Sequence, residues 1–268
     1  MSTDQRLKGV VLGFAAFAAF SFSDASIKLI EGALSPYETA FFGAVFGLVA
    51  MPFLVKKGDR WSDVVRSTNR PLWLLRFACA ASGAIGSVVA FTHLSMAEAF
   101  ALIFLLPSFV TIMSVVFLKE VVGIRRWLAV LVGFLGLLVV LRPGFRELSI
   151  GHLGAIVGGF SGAISIVIFR AMGPKEKNIS LYGAGVFGWM AISAALMVPG
   201  FIWPTPEQWL YLAGFGLLAA LANVLMMYAA THVEAGIIGP IQYSQMLWAI
   251  LLGYLVFGDG VDMPTWAG

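Results

Sequence analysis

Nine apolar runs, each close to the roughly 20 residues that cross a bilayer as a helix, dominate this chain. They lie near 7–30, 37–55, 72–94, 97–118, 124–141, 151–171, 180–200, 208–230 and 235–257. The runs are too long, and alternate too little, to be strands of a membrane β-barrel. Composition removes the soluble option. Hydrophobic residues make up 60% of the 268 and charged residues only 12%, about half the usual charged share. So few charges cannot cover the surface of a soluble molecule of this size. The expected fold class is an all-α polytopic membrane protein with the lipid bilayer as its first partner.

Pro, Gly and charge mark the breaks, as at Ser35-Pro36, Arg142-Pro143-Gly144, Gly173-Pro174 and Pro204-Thr205-Pro206. Lys and Arg set the orientation, because they are retained on the cytoplasmic side. With the N-terminus inside, the inner segments hold Arg6, Lys8, Lys56, Lys57, Arg60, Arg66, Arg70, Arg76, Lys119, Arg125, Arg126, Arg170, Lys175 and Lys177. That is 14 of the 17 basic residues; the outer side keeps Lys28, Arg142 and Arg146. The expectation is a multi-pass protein of a bacterial inner membrane with a cytoplasmic N-terminus. The net charge of +3 follows from this anchoring, and no nucleic-acid partner is expected. Arg6 and Lys8 precede an apolar run without a small-residue cleavage site, so span one reads as a retained anchor. The single cysteine, Cys79, excludes a disulfide framework and cysteine-based metal sites.

The chain also repeats itself. A shift of 139 places Thr92-His93 on Thr231-His232, Glu120 on Asp259 and Trp127 on Trp266; near the N-termini a shift of 145 places Gly9 on Gly154 and Gly13 on Gly158. The repeats are expected at 1–144 and 145–268. Each holds five spans, an odd number, so the halves must sit in opposite orientations, a construction typical of secondary transporters. Only Ala267 and Gly268 follow Trp266, so the tenth span is expected to be cut short.

Spans three to five carry a recognisable pattern. It runs from Ala90-Phe91-Thr92-His93-Leu94-Ser95-Met96-Ala97-Glu98-Ala99 through Pro107 and Phe117-Leu118-Lys119-Glu120. It continues with Arg125-Arg126-Trp127, Gly133-Phe134-Leu135-Gly136 and Leu141-Arg142-Pro143-Gly144. This resembles the EamA-like family of the drug/metabolite transporter superfamily over essentially the whole chain. The resemblance implies ten helices in two inverted five-helix repeats, and export or uptake of small polar metabolites, such as amino acids, amines, nucleotides or cofactors, by alternating access. Residues 91–144 look most like bacterial members grouped with S-adenosylmethionine or riboflavin uptake. In the second repeat Asp259 stands for the family's usual glutamate and Met246 for Pro107.

Polar groups at membrane depth are functional candidates by default, although they also bind helices together. Asn223 lies about fifteen residues into span eight, and Gln242, Tyr243 and Gln245 follow Gly239-Pro240 in span nine. Pro240 frees a backbone carbonyl; Gln242 and Gln245 share a helical face that Trp248 extends. These residues are the expected substrate-path lining, with Phe91, Phe104 and Trp248 available to stack a planar substrate. Proton coupling would need a group that changes charge: Asp24, Glu38, His93 and Glu98 are its candidates. Asp24 and Lys28 stand four apart and can pair on one face. Pro107 and Pro240 are candidate hinges. Gly154, Gly158 and Gly162 recur every four residues and suit close helix packing.

No Walker-type loop, HExxH pair or GxSxG elbow occurs. No enzyme activity, metal or cofactor is expected. The expected function is a secondary transporter of a small polar organic solute, monomeric or homodimeric, with protons as the candidate coupling ion. A passive channel and a membrane-embedded enzyme are the rival readings.

Overall fold

A computed structural model of the chain describes residues 3–30, 32–55, 58–119, 121–141, 148–172, 176–232, 241–242 and 244–260. Among these residues there are helices and no strands. Within hydrocarbon every backbone polar group must be satisfied inside its own segment, and helices achieve this.

The helices are α1 (Thr3–Leu29), α2 (Pro36–Gly47), a short α3 (Met51–Leu54), α4 (Arg70–His93), α5 (Met96–Ile103) and α6 (Leu106–Leu118). They continue with α7 (Ile124–Leu141), α8 (Ile150–Met172), α9 (Asn178–Met197), α10 (Pro206–His232) and α11 (Ser244–Phe257). Seven stretches among the described residues are long and apolar enough to cross a membrane: 6–29, 36–54, 70–93, 96–118, 150–168, 179–200 and 206–226. The protein is therefore a multi-pass membrane protein. The expected run at 124–141 is the 18-residue α7, and the described part of the run expected at 235–257 includes the 14-residue α11. Most of the expected tenth span, with Trp266, lies outside the described residues, as do Glu120, Pro240 and Tyr243.

The breaks have local causes. Ser35 caps α2 in a reciprocal box with Glu38, and Pro36 occupies the first turn, where its missing N–H costs nothing. Ser95 caps α5 by accepting from the Glu98 N–H at 3.2 Å. Span four is not one helix. It breaks at 104–105 and resumes with Pro107 in the first turn of α6, because proline cannot donate to the preceding turn. Thr111 Oγ1 donates to the Pro107 carbonyl at 2.9 Å.

Early helices pack mainly on late ones: α1 on α10 and α11, α2 on α9 and α10, and α4 on α8 and α9. Glycines make these contacts close. A Cβ on Gly86 would lie 2.6 Å from the Gly154 carbonyl oxygen, and one on Gly154 would lie 2.6 Å from that of Gly86. The Gly154/Gly158/Gly162 stripe thus does the packing expected of it, against α4 and, at Gly162, Leu106 of α6. The largest apolar cluster gathers Phe91, Met96, Phe100, Leu102 and Leu252 where α4, α5 and α11 meet.

Candidate functional site

Small residues leave a void where these helices meet. A cavity of about 370 Å³ is bounded by α1, α2, α4, α8, α9 and α10, and Gly43, Gly47, Gly83, Gly158, Gly162 and Gly185 all line it. Gly43, Gly83, Gly158 and Gly162 let neighbouring groups pack close, whereas at Gly47 and Gly185 an added Cβ would meet nothing nearer than 3.9 Å, so space is left there. Phe20, Tyr182, Trp189 and Phe215 supply aromatic walls. The Trp189 and Phe215 rings meet edge-to-face, with centroids 5.8 Å apart. The volume falls within the roughly 300–1,000 Å³ of small-molecule sites.

Two hydrogen bonds involve residues that line the void, and a third joins helices beside it. Ser23 Oγ donates to the Phe215 carbonyl at 2.8 Å, Tyr182 Oη to the Gly47 carbonyl at 2.9 Å, and Ser82 and Ser161 share a hydroxyl contact of 3.0 Å. Each joins an early helix to a late one.

Two ionisable side chains and one amide line the same cavity: Asp24, Arg76 and Asn223. Arg76 lies about two turns inside α4. Its Nε donates to the Leu181 carbonyl at 2.8 Å and its Nη1 to the Ser165 carbonyl at 3.1 Å. Neutral carbonyls orient the guanidinium but do not compensate its charge, and no carboxylate pairs with it among the described residues. Asp24 has no hydrogen-bond or ion-pair partner among the described residues. Lys28, one turn later, pairs with Asp259 after α11 and lies over the Phe257 ring, 4.8 Å from its centroid. The Asp24–Lys28 pair allowed by spacing is therefore replaced by a tie between the ends of α1 and α11. Asn223 Nδ2 donates to the Ala219 carbonyl at 2.8 Å, and its Oδ1 has no partner among the described residues.

The other sequence candidates lie elsewhere. Gln245 is buried, and Gln242 is half-buried at 241–242; neither lines this cavity. Trp248 packs on the exposed Phe22 ring, centroids 6.0 Å apart. Phe91 and Phe104 stack through Phe100 in the apolar cluster. Glu38 is fully buried in its cap, where Oε1 accepts from the Ile202 N–H at 3.0 Å. His93 is exposed, with Nδ1 2.9 Å from the Val89 carbonyl. Glu98 meets His152 Nε2 at 3.1 Å, both side chains buried. Ser149 N–H donates to His152 Nδ1 at 2.9 Å, so the ring's proton sits on Nε2 and points at Glu98.

Arg76 escaped the sequence reading because it was counted with the inner loop charges, although it already lies inside span three. Charge at that depth is the signal that could have found it. Tyr182, Trp189 and His152 carried no pattern that set them apart.

On the face joining α4 and α9, Glu176 accepts from Ser67 Oγ at 2.7 Å, Thr68 N–H at 2.9 Å and Thr68 Oγ1 at 2.8 Å. Burial alone would raise its pKa, but these hydrogen bonds, with a further one from Ser180, outweigh burial and hold the carboxyl below its ordinary range.

Comparisons with known proteins agree with this architecture. The EamA-like transporter family profile matches twice, over residues 7–142 and 149–268. An S-adenosylmethionine uptake transporter of Rickettsia bellii is 27% identical over 252 residues, covering 92% of this chain and 84% of its own. A riboflavin transporter of Vibrio cholerae is 26% identical over 84% of this chain and 76% of its own. A pseudopaline exporter of Pseudomonas aeruginosa is 24% identical over 100% and 94%. A solved crystal structure matches at TM-score 0.67 and 18% identity, over 96% of this chain and 91% of that one, which speaks to the fold alone.

Proposed function

The chain belongs to the EamA-like transporter family, and from that premise we propose that it is a secondary transporter carrying a small polar organic metabolite across a bacterial inner membrane by alternating access. The observation that carries this reading is the cavity: it is bounded by early and late helices and lined by two ionisable groups that lie within membrane spans. Two inverted five-helix repeats, 1–144 and 145–268, are the halves that rock about it. The twofold family match and the packing of early helices on late ones support that division. The basic residues support a cytoplasmic N-terminus.

Asn223 and the cavity aromatics contact the substrate. Protons are the coupling ion of this reading, and among the four candidate carriers Asp24 is the one that lines the cavity. Pro107, at the break between α5 and α6, is the proposed hinge. The relatives' names make S-adenosylmethionine and riboflavin the first substrates to test.

The test is uptake of each labelled compound into vesicles containing the purified protein, with and without a pH gradient. Saturable uptake that Asn223→Leu lowers at least tenfold, at equal amounts of folded protein, is the expected result. Flux that never saturates would replace this reading with a passive channel.

A further inference from the structure

We propose that the inner segment from Arg60 to Arg70 is a binding surface for anionic phospholipid. Arg60, Arg66 and Arg70 hold headgroup phosphates, and Trp61 and Val65 enter the bilayer interface beside them. The proposal takes the cytoplasmic-side placement of this segment as its premise and concerns the lipid around the protein, not the solute it carries.

The segment turns its acids in and its bases out. Lys177, just before α9, donates to Asp63 at 2.5 Å and meets Asp59 at 3.4 Å. Ser180 Oγ donates to the Arg66 carbonyl at 2.7 Å, and Glu176 holds Ser67 and Thr68. Val64 ends a short 3₁₀ turn, Trp61–Val64, and is buried in a cluster with Met51 and Ile179. Its carbonyl oxygen lies so near α9 that a Cβ on Gly183 would come within 2.4 Å of it. A backbone pinned at these points fixes which side chains face away. Trp61 and Val65 are each 62% exposed. Arg60, Arg66 and Arg70 are exposed as well, and no carboxylate among the described residues lies in ion-pair reach of them.

This outward face lies at the level where the membrane begins. Ser180, which fixes the Arg66 carbonyl, is the second residue of the apolar stretch 179–200, and Arg70 is the first of 70–93. Leu74 and Leu75, about one turn further into α4, are exposed as lipid-facing residues are. Tryptophan settles at the headgroup boundary, where its ring is half in hydrocarbon and its N–H in water. Arginine grips phosphate oxygens with two parallel N–H groups, and the cytoplasmic leaflet supplies anionic lipid. Retention of Lys and Arg on the inner side accounts for the sign of the segment, because it acts on charge along the sequence. It does not account for aspartates folded back onto Lys177, or for a tryptophan facing out among arginines. A lipid surface accounts for both.

The experiment places the purified full chain in bilayers of phosphatidylcholine with a minority of phosphatidylglycerol. Electron spin resonance of spin-labelled lipids then reads how strongly each lipid associates. The wild type is expected to prefer phosphatidylglycerol by about threefold or more. Arg60→Gln/Arg66→Gln/Arg70→Gln should remove most of that preference. Arg6→Gln/Lys8→Gln/Arg125→Gln, an equal loss of inner charge, should leave most of it in place. Brominated phosphatidylglycerol should quench a tryptophan component that is missing in Trp61→Phe.

The proposal is overturned if the wild type shows no preference, if the two triple variants lose it equally, or if Trp61→Phe leaves the quenching unchanged. If the Arg60/Arg66/Arg70 triple variant does not fold, the three single substitutions and the Trp61→Phe difference decide in its place. These readouts follow lipid alone, so their failure leaves the transporter reading to its own uptake test.

Discussion

Glu176 and His152 show how a single polar side chain is held in a chain with so few charges. Glu176 satisfies three donors from Ser67 and Thr68, so Glu176→Ala strands them, at a cost of about 1–3 kcal/mol. Its folded pKa lies below the ordinary value of 4.5. The stabilisation is therefore complete above that value and is lost as the pH falls through the depressed folded value. Melting curves of the two proteins should converge in acid below pH 4.5; a gap that stays constant would refute the assignment. His152 presents its Nε2 proton to buried Glu98. His152→Leu removes one buried donor from that carboxylate and is expected to lower stability by about 1–3 kcal/mol. His152→Gln, which can still donate, should recover part of the loss in the same thermal assay. None of this was legible beforehand: Glu98 was visible as an ionisable group at a helix start, but its partner lies 54 positions away.

At the scale of helices, close approach matters more than apolar area, because lipid tails are as apolar as leucine and offer helices no hydrophobic reason to associate. The α4–α8 contact depends on glycine facing glycine at 86 and 154. Gly154→Ala places a methyl 2.6 Å from a backbone carbonyl, and backbone cannot swing aside as a flexible side chain can. We expect a loss of about 1–3 kcal/mol and a lower melting temperature, whereas Gly123→Ala, with nothing within 4 Å of its Cβ, should not lower it by overpacking. An unchanged Gly154→Ala protein would show that the two helices do not pack this way. The stripe could be read from its four-residue period alone. The helix it meets could not, since any span with small residues was an equal candidate.

For the whole molecule, the topology rests on the distribution of Lys and Arg. Reporter fusions after residue 69 and after residue 204 should report the cytoplasmic and the outer side respectively, and the opposite pattern would invert the whole arrangement. Membrane residence and helix positions were legible without coordinates. Each depends on composition or on neighbours along the chain: a bilayer demands long apolar helices whatever they pack against. The cavity was not legible in this way. Asn223 and Asp24 were singled out for their depth, and both line it. Gln245, chosen by the same rule, is packed away from it. Depth is a property of one helix, whereas facing is a property of the assembled bundle. For the same reason Lys28 turned from the near carboxylate of Asp24 to the distant one of Asp259, and Arg76 was left with two carbonyls and one open nitrogen. The sequence by itself determined which segments enter the membrane and which polar groups go with them. Only the tertiary structure decided which of those groups share a void, because that depends on helix rotations set by contacts between residues far apart in the chain, from 79 positions for Ser82 and Ser161 to 192 for Ser23 and Phe215.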